Sequence, residues 1–267
     1  MSTFSAPNSP HPPALDIKAS APPSARATPG GVAQVDWGSV AIRINARTLL
    51  IALLLVMLVV LSLHLWVVVT FLQGLDFKGS QRLYFDDEGN VPAYFSTFIL
   101  FLAAVLLTCI AYFKRAEKDC FARHWTVLSF MFFGLTADEA LSFHEMLIDP
   151  LRSAFGFSGW MRFSWILMGG AFTAAVALAY LPFLHKLAPV ARRQFIIAGS
   201  VYVAGVLGLE MISGPFFEDY EAGRSVAPYL ALMTMEETLE MTGILLFIRA
   251  LLNYLQTYRP VFSVQLD

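Results

Sequence analysis

The sequence predicts an all-α fold, a polytopic membrane bundle of six transmembrane helices, on three observations. Apolar types make up 57% of the 267 residues and charged types only 14%, whereas a soluble domain is roughly one-quarter charged. Six stretches approach the roughly 20 apolar residues that cross a bilayer core of about 30 Å. The 18 Lys and Arg residues are divided unevenly between the connections of those stretches. The same composition excludes a soluble enzyme and a disordered protein. The net charge of −2 gives no electrostatic handle for a nucleic acid.

Residues 1–36 are rich in Pro, Ala and Ser. Such a segment cannot bury a core and is expected to be a disordered cytoplasmic tail. Residues 37–258 are expected to form the six-helix domain and 259–267 a short cytoplasmic tail. The first span, 48–72, contains one ionisable residue, His64, and the second, 93–113, contains none. The third, 124–148, turns acidic near its end. The fourth, 163–184, is rich in Ala and Gly, the fifth, 194–213, ends in GLEMIS, and the sixth, 228–255, contains MEETLEM.

Orientation follows from the basic residues. With the N-terminus inside, thirteen of the 18 Lys and Arg fall on the inner side and five (Lys78, Arg82, Arg152, Arg162 and Arg224) on the outer. Both termini are therefore expected in the cytoplasm, with the chain in the inner membrane and the lipid bilayer as its first partner. Trp66, Trp125, Trp160, Trp165 and Tyr229 fall near span boundaries, as interfacial aromatics do. Glu218, Asp219 and Glu221 read as a solvated outer loop. Ser200, Ala204 and Gly208 recur every four residues on the fifth span, a spacing that lets helices approach closely; Gly169 and Gly170 suggest the same on the fourth. Cys109 and Cys120 are too few and too differently placed for a disulfide framework or a zinc knuckle.

The chemistry lies in the carboxylates. Asp138, Glu139 and Glu145 belong to the third span, Glu210 to the fifth, and Glu236, Glu237 and Glu240 to the sixth; His144 and His64 join them. One charge at the centre of a membrane helix costs about 2.5–3.5 kcal/mol, and seven unpaired ones roughly 20 kcal/mol. No Lys or Arg lies within these stretches, and Arg249 snorkels toward the inner face. Protons, bound cations or water must meet the charge. At about 1.5 Å per residue, His64, Asp138, Glu210, Glu236 and Glu240 fall between the midplane and the outer surface. Successive helical residues turn by about 100°. Asp138, Ser142 and Glu145 are therefore expected on one stripe, with Glu139 on its flank and His144 turned away from Asp138. For Glu145 and His144, a place at the outer water boundary is an equal alternative.

Thr136–Leu141 and Thr234–Leu239 both read T-x-[DE]-E-x-L, 98 residues apart. That offset suggests an inverted 3+3 repeat, an architecture that often holds a site at the midplane, although the first span does not align with the fourth at that offset. There is no GxSxG, P-loop, CxxC, HExxH or ExxH. Oxygen ligands with imidazole suit iron, manganese or zinc. The first functional reading is therefore a divalent metal held by Asp138, Glu139, His144, Glu145, Glu210, Glu236, Glu237, Glu240 and His64, with Glu139 and Glu237 as catalytic groups of a membrane enzyme acting on a lipid-like substrate. A proton- or cation-coupled carrier, expected as a homodimer, is the second reading. A non-catalytic subunit of a larger membrane complex is the third.

Overall fold

The computed structural model describes residues 45–75 and 78–258. Both predicted tails, residues 37–44 and Asp76 lie outside the described residues. Every regular element among those described is helical. They are α1 (Ala46–Leu72), α2 (Val91–Ala116), α3 (Ala122–Leu141), α4 (Ile148–Phe155), α5 (Ile166–Lys186), α6 (Pro189–Val203), α7 (Glu210–Glu221) and α8 (Ala227–Tyr258), with single 3₁₀ turns between some of them. A π-helical turn, Ala204–Leu209, joins α6 to α7 in one run. Five helical runs are long and apolar enough to cross a membrane, or six if α3 and the bent segment after it form one span. Ile51, Leu55, Val59 and Phe130 are among many large apolar side chains left exposed on them, as expected of helices solvated by lipid. This is a helical membrane bundle.

Local chemistry sets the helix starts. The Asn45 side chain accepts from the Arg47 and Thr48 amides and opens α1. Asn90 caps α2 through the Ala93 amide, and its side-chain amide donates to the Gln81 and Tyr84 carbonyls, pinning the preceding loop. At the other end of α2, Lys114 pairs with Glu117 and Asp119 and closes the short turn into α3.

α8 is the hub, packing against α1, α2, α6 and α7, while α2 and α3 form a tight antiparallel pair. Ile99, Leu107, Trp125, Met241, Ile248 and Leu251 fill the core. Trp125 is thus a core residue rather than an interfacial one. Its ring packs against Phe183, Phe195 and Tyr254.

The close approach of α6 and α8 uses glycines other than those expected. A Cβ on Gly243 would lie 2.6 Å from the Tyr202 amide nitrogen, and one on Gly205 would lie 2.9 Å from the Glu236 carbonyl. Gly208 and Gly170 meet nothing within 4 Å, and Gly169 packs only on Trp165 and Leu207 side chains. Gly243→Val is therefore expected to destabilise the bundle by about 1–3 kcal/mol, the scale of overpacking, in a denaturant titration of the purified protein. Gly170→Ala should leave it unchanged.

Two spans differ from expectation. The third helix stops at Leu141, where Ser142 takes a left-handed conformation (φ 52°), and the chain resumes through Glu145–Phe155 at a 72° bend. The predicted stripe of Asp138, Ser142 and Glu145 therefore does not exist. The fifth runs longer than predicted, from Pro189 to Glu221, so Glu218, Asp219 and Glu221 are helical. Nor does the geometry lend the repeat support. The shared hexapeptide closes α3 but lies in the first half of α8, so both copies point to the same end of the bundle. A two-fold axis in the membrane plane would carry one copy toward the opposite end.

Candidate functional site: a carboxylate cavity

At the end of the bundle where α3 stops and α8 begins, five segments enclose a cavity of about 90 Å³. α8 supplies Glu236, Glu237 and Glu240 from one face, as the 100° rule requires. α3 supplies Glu139, the turn after it His144 and Glu145, and α7, just past the π turn, Glu210. The loop before α2 adds Asp86, Asp87 and Glu88. Among the described residues the wall thus carries nine carboxylates and one imidazole, and no Lys or Arg.

Neutral donors meet part of this charge. The Trp165 indole Nε1 donates to Glu210 Oε1 at 2.7 Å, and the Tyr229 hydroxyl donates to Asp86 Oδ1 at 2.7 Å. Both aromatics were expected only to mark the interface; both are hydrogen-bond partners of the site. Burial pushes the Asp86 carboxyl above the usual carboxylate range, while the Tyr229 hydrogen bond works against that shift. Burial acts in the same direction on Asp87.

Seven of the nine residues predicted for the site line the cavity; Asp138 and His64 do not. The break after Leu141 brings His144 back onto Asp138, contrary to the expectation that it turns away. Asp138 Oδ1 accepts from the His144 amide at 3.0 Å, and Oδ2 lies 3.0 Å from His144 Nδ1. A carboxylate in that position holds a proton on Nδ1 and fixes the ring, so that Nε2 has a lone pair for a ligand only in the neutral form. Asp138 is therefore a positioning residue behind His144.

His64 has a different task. It is fully buried, with its ring stacked on Phe85 at 3.9 Å between centroids. Nδ1 accepts from the Phe85 amide at 3.1 Å, so Nε2 carries the proton and donates to Thr234 Oγ1 at 2.9 Å. The Thr234 hydroxyl in turn donates to the Leu230 carbonyl. One neutral imidazole thus fastens the Asp86–Glu88 loop and α8 to α1. Both ring nitrogens are occupied, and neither is free for a metal.

One ion pair and one hydrogen bond from a backbone amide join the 156–165 segment to α7. Arg162 Nη2 donates to both carboxylate oxygens of Glu221 at 2.9 Å, and the guanidinium lies over the Phe217 ring. Glu218 accepts from the Gly159 amide at 2.7 Å. Glu218 and the half-exposed Glu221 thus tie the 156–165 segment to α7. Among the described residues, no three His, Cys, Asp or Glu side chains are already drawn together at metal-ligating geometry.

Asp86, Asp87 and Glu88 were missed as site residues because they read as loop acids. Their signal was present: three consecutive acids sit one residue ahead of the Asn90 cap, at the same bundle end as the other carboxylates.

Residues 48–255 match the model of a family described as a domain of unknown function, DUF8692. The chain belongs to that family. No curated protein and no solved structure matches it. The DUF8692 region contains every residue of the cavity wall, together with Asp138 and His64.

Proposed function

We propose that the cavity binds a divalent cation and that, loaded with it, the protein is a metal-dependent membrane enzyme acting on a lipid-like substrate. The observation that carries this reading is the wall itself: nine carboxylates and His144 with no cationic side chain among them. Hard oxygen donors with one imidazole are the ligand set of iron, manganese or zinc. The Asp138–His144 pair resembles the outer support that orients metal-binding or proton-accepting histidines. Glu139 and Glu237 lie on the wall as candidate proton carriers. A bound cation would polarise a water or carbonyl oxygen at that wall. The volume of about 90 Å³ admits a cation and a few waters or the reacting end of a substrate, not a whole lipid.

The small volume also favours a second reading, a carrier that exchanges protons for cations. The two part on one experiment. Metal analysis and calorimetric titration of the purified protein with Mn²⁺, Fe²⁺ and Zn²⁺ should show binding with proton release. Affinity should rise with pH, because burial raises the Asp86 and Asp87 carboxyls above the usual carboxylate range and a cation competes there with protons. Cation uptake by proteoliposomes then selects the carrier. Absence of both binding and uptake would leave the accessory-subunit reading.

We further propose that both termini are cytoplasmic in the inner membrane, with the cavity at the outer end. The support is the basic-residue bias: Arg47, Lys114, Arg115, Lys118 and Arg123 cluster at the end opposite the cavity. Cys120, exposed in the α2–α3 turn, is a natural reporter. A membrane-impermeant maleimide should leave it unlabelled in intact cells and label it after permeabilisation. Labelling from outside would reverse the orientation.

A further inference from the structure

The end of the bundle away from the cavity carries a second, chemically opposite feature. Arg47, Leu50, Ile51 and Leu54 recur at i, i+3, i+4 and i+7 on α1, one helical stripe. Arg249, Asn253 and Gln256 recur at i, i+4 and i+7 on α8. The helices run antiparallel, because His64 meets Thr234 while the start of α1 meets the end of α8. The two stripes face one another across an open cleft of about 410 Å³.

The lining is sorted by height. Arg47 and Gln256 stand at the mouth, and Leu50, Ile51 and Leu54 rise along the apolar span. Arg249 lies about 10 Å further in than Gln256 along α8, and its long side chain lets the guanidinium reach back toward the mouth. Neither Arg47 nor Arg249 has an ion-pair partner among the described residues, and no carboxylate lines the cleft there. Other described basic residues, Arg192 and Arg193 among them, also make no ion pair; what sets Arg47 and Arg249 apart is that both line one cleft.

We propose that this cleft is a binding site for an anionic phospholipid, with the phosphate held by Arg47 and Arg249 and an acyl chain laid along Leu50, Ile51 and Leu54. Paired guanidiniums match phosphate oxygens through forked, charge-assisted hydrogen bonds. The Asn253 and Gln256 amides supply neutral donors for the remaining headgroup oxygens. Basic recesses between membrane helices at the inner face hold such headgroups, and here the apolar stripe continues from the basic mouth. A free phosphate satisfies the Arg pair but leaves the Leu50–Leu54 stripe uncovered, which is why the lipid is the occupant.

The test uses the full chain, delipidated in a neutral detergent, with thermal unfolding as the readout. Phosphatidylglycerol should raise the midpoint by about 5 °C, the scale of a well-occupied site; phosphatidylcholine and inorganic phosphate should not. Arg47→Gln/Arg249→Gln should lose the shift, while Arg192→Gln/Arg193→Gln, with the same change in charge, should retain it. An equal shift with phosphatidylcholine, or a shift that persists in Arg47→Gln/Arg249→Gln, overturns the site. A full shift with phosphate alone overturns the lipid. If the double variant does not fold, the three wild-type arms and the two single variants decide between the same outcomes.

Discussion

Replacing Glu237 by Gln is expected to weaken divalent-cation binding by at least about tenfold, the effect of losing roughly 1.4 kcal/mol of ligand interaction. Glu237 projects from α8 into the same cavity as Glu139, Glu236 and Glu240. The amide keeps the shape of the carboxylate and its carbonyl acceptor but removes the charge that the cation neutralises. A neutral amide costs less to bury than a carboxylate, so the fold should be retained or slightly stabilised. Glu117→Gln is the matched control: Glu117 pairs with Lys114 at the opposite end, and its loss should leave binding intact. Binding unchanged in Glu237→Gln would remove Glu237 from the site and weaken the cation reading as a whole.

His64→Ala should have the largest effect on stability of any single change considered. The ring joins three elements and is fully buried. Its removal strands the Phe85 amide, a buried donor whose loss of partner costs about 1–3 kcal/mol. It also opens a cavity beside the Phe85 ring. Together these should cost about 3–5 kcal/mol. The damage should spread along the 84–88 loop, since among the described residues the Phe85 amide donates to His64 alone. A lower unfolding midpoint and faster amide exchange at Phe85–Glu88 are the expected readouts. Unchanged exchange there would show that the Asn90 side chain and the Tyr229–Asp86 hydrogen bond hold the loop without His64.

The helices were legible because lipid demands long apolar runs, and α1 and α2 end within a few residues of their expected limits. The convergence of Glu139, Glu210, Glu236, Glu237 and Glu240 was also legible, since charges without basic partners must face inward in a bilayer. What was not legible lies at the break after Leu141. A left-handed Ser142 has no signature in a stretch reading DEALSFHE. Extending the helix through it rotates His144 away from the carboxylate that in fact holds it. Likewise, hydropathy marks Trp165 and Tyr229 as boundary aromatics. Only the fold shows that their polar tips turn inward, to Glu210 and Asp86. His64 looked like a site residue for the converse reason: a buried imidazole among carboxylates in depth reads the same whether it binds a ligand or fastens a loop.

The π turn at Ala204–Leu209 has a consequence for how Glu210 is presented. A π turn holds one residue more than the α turn it replaces, so it behaves as a single-residue insertion absorbed within a continuous rod. If the turn tightened to α geometry, everything beyond it would advance by about 1.5 Å and swing by about 100°. Glu210 and Ser213, which line the cavity, would swing away from it together, and Glu210 would leave the Trp165 indole. The helix register at this point therefore acts like the hand of a clock: one position aims a carboxylate into the cavity, and the next withdraws it.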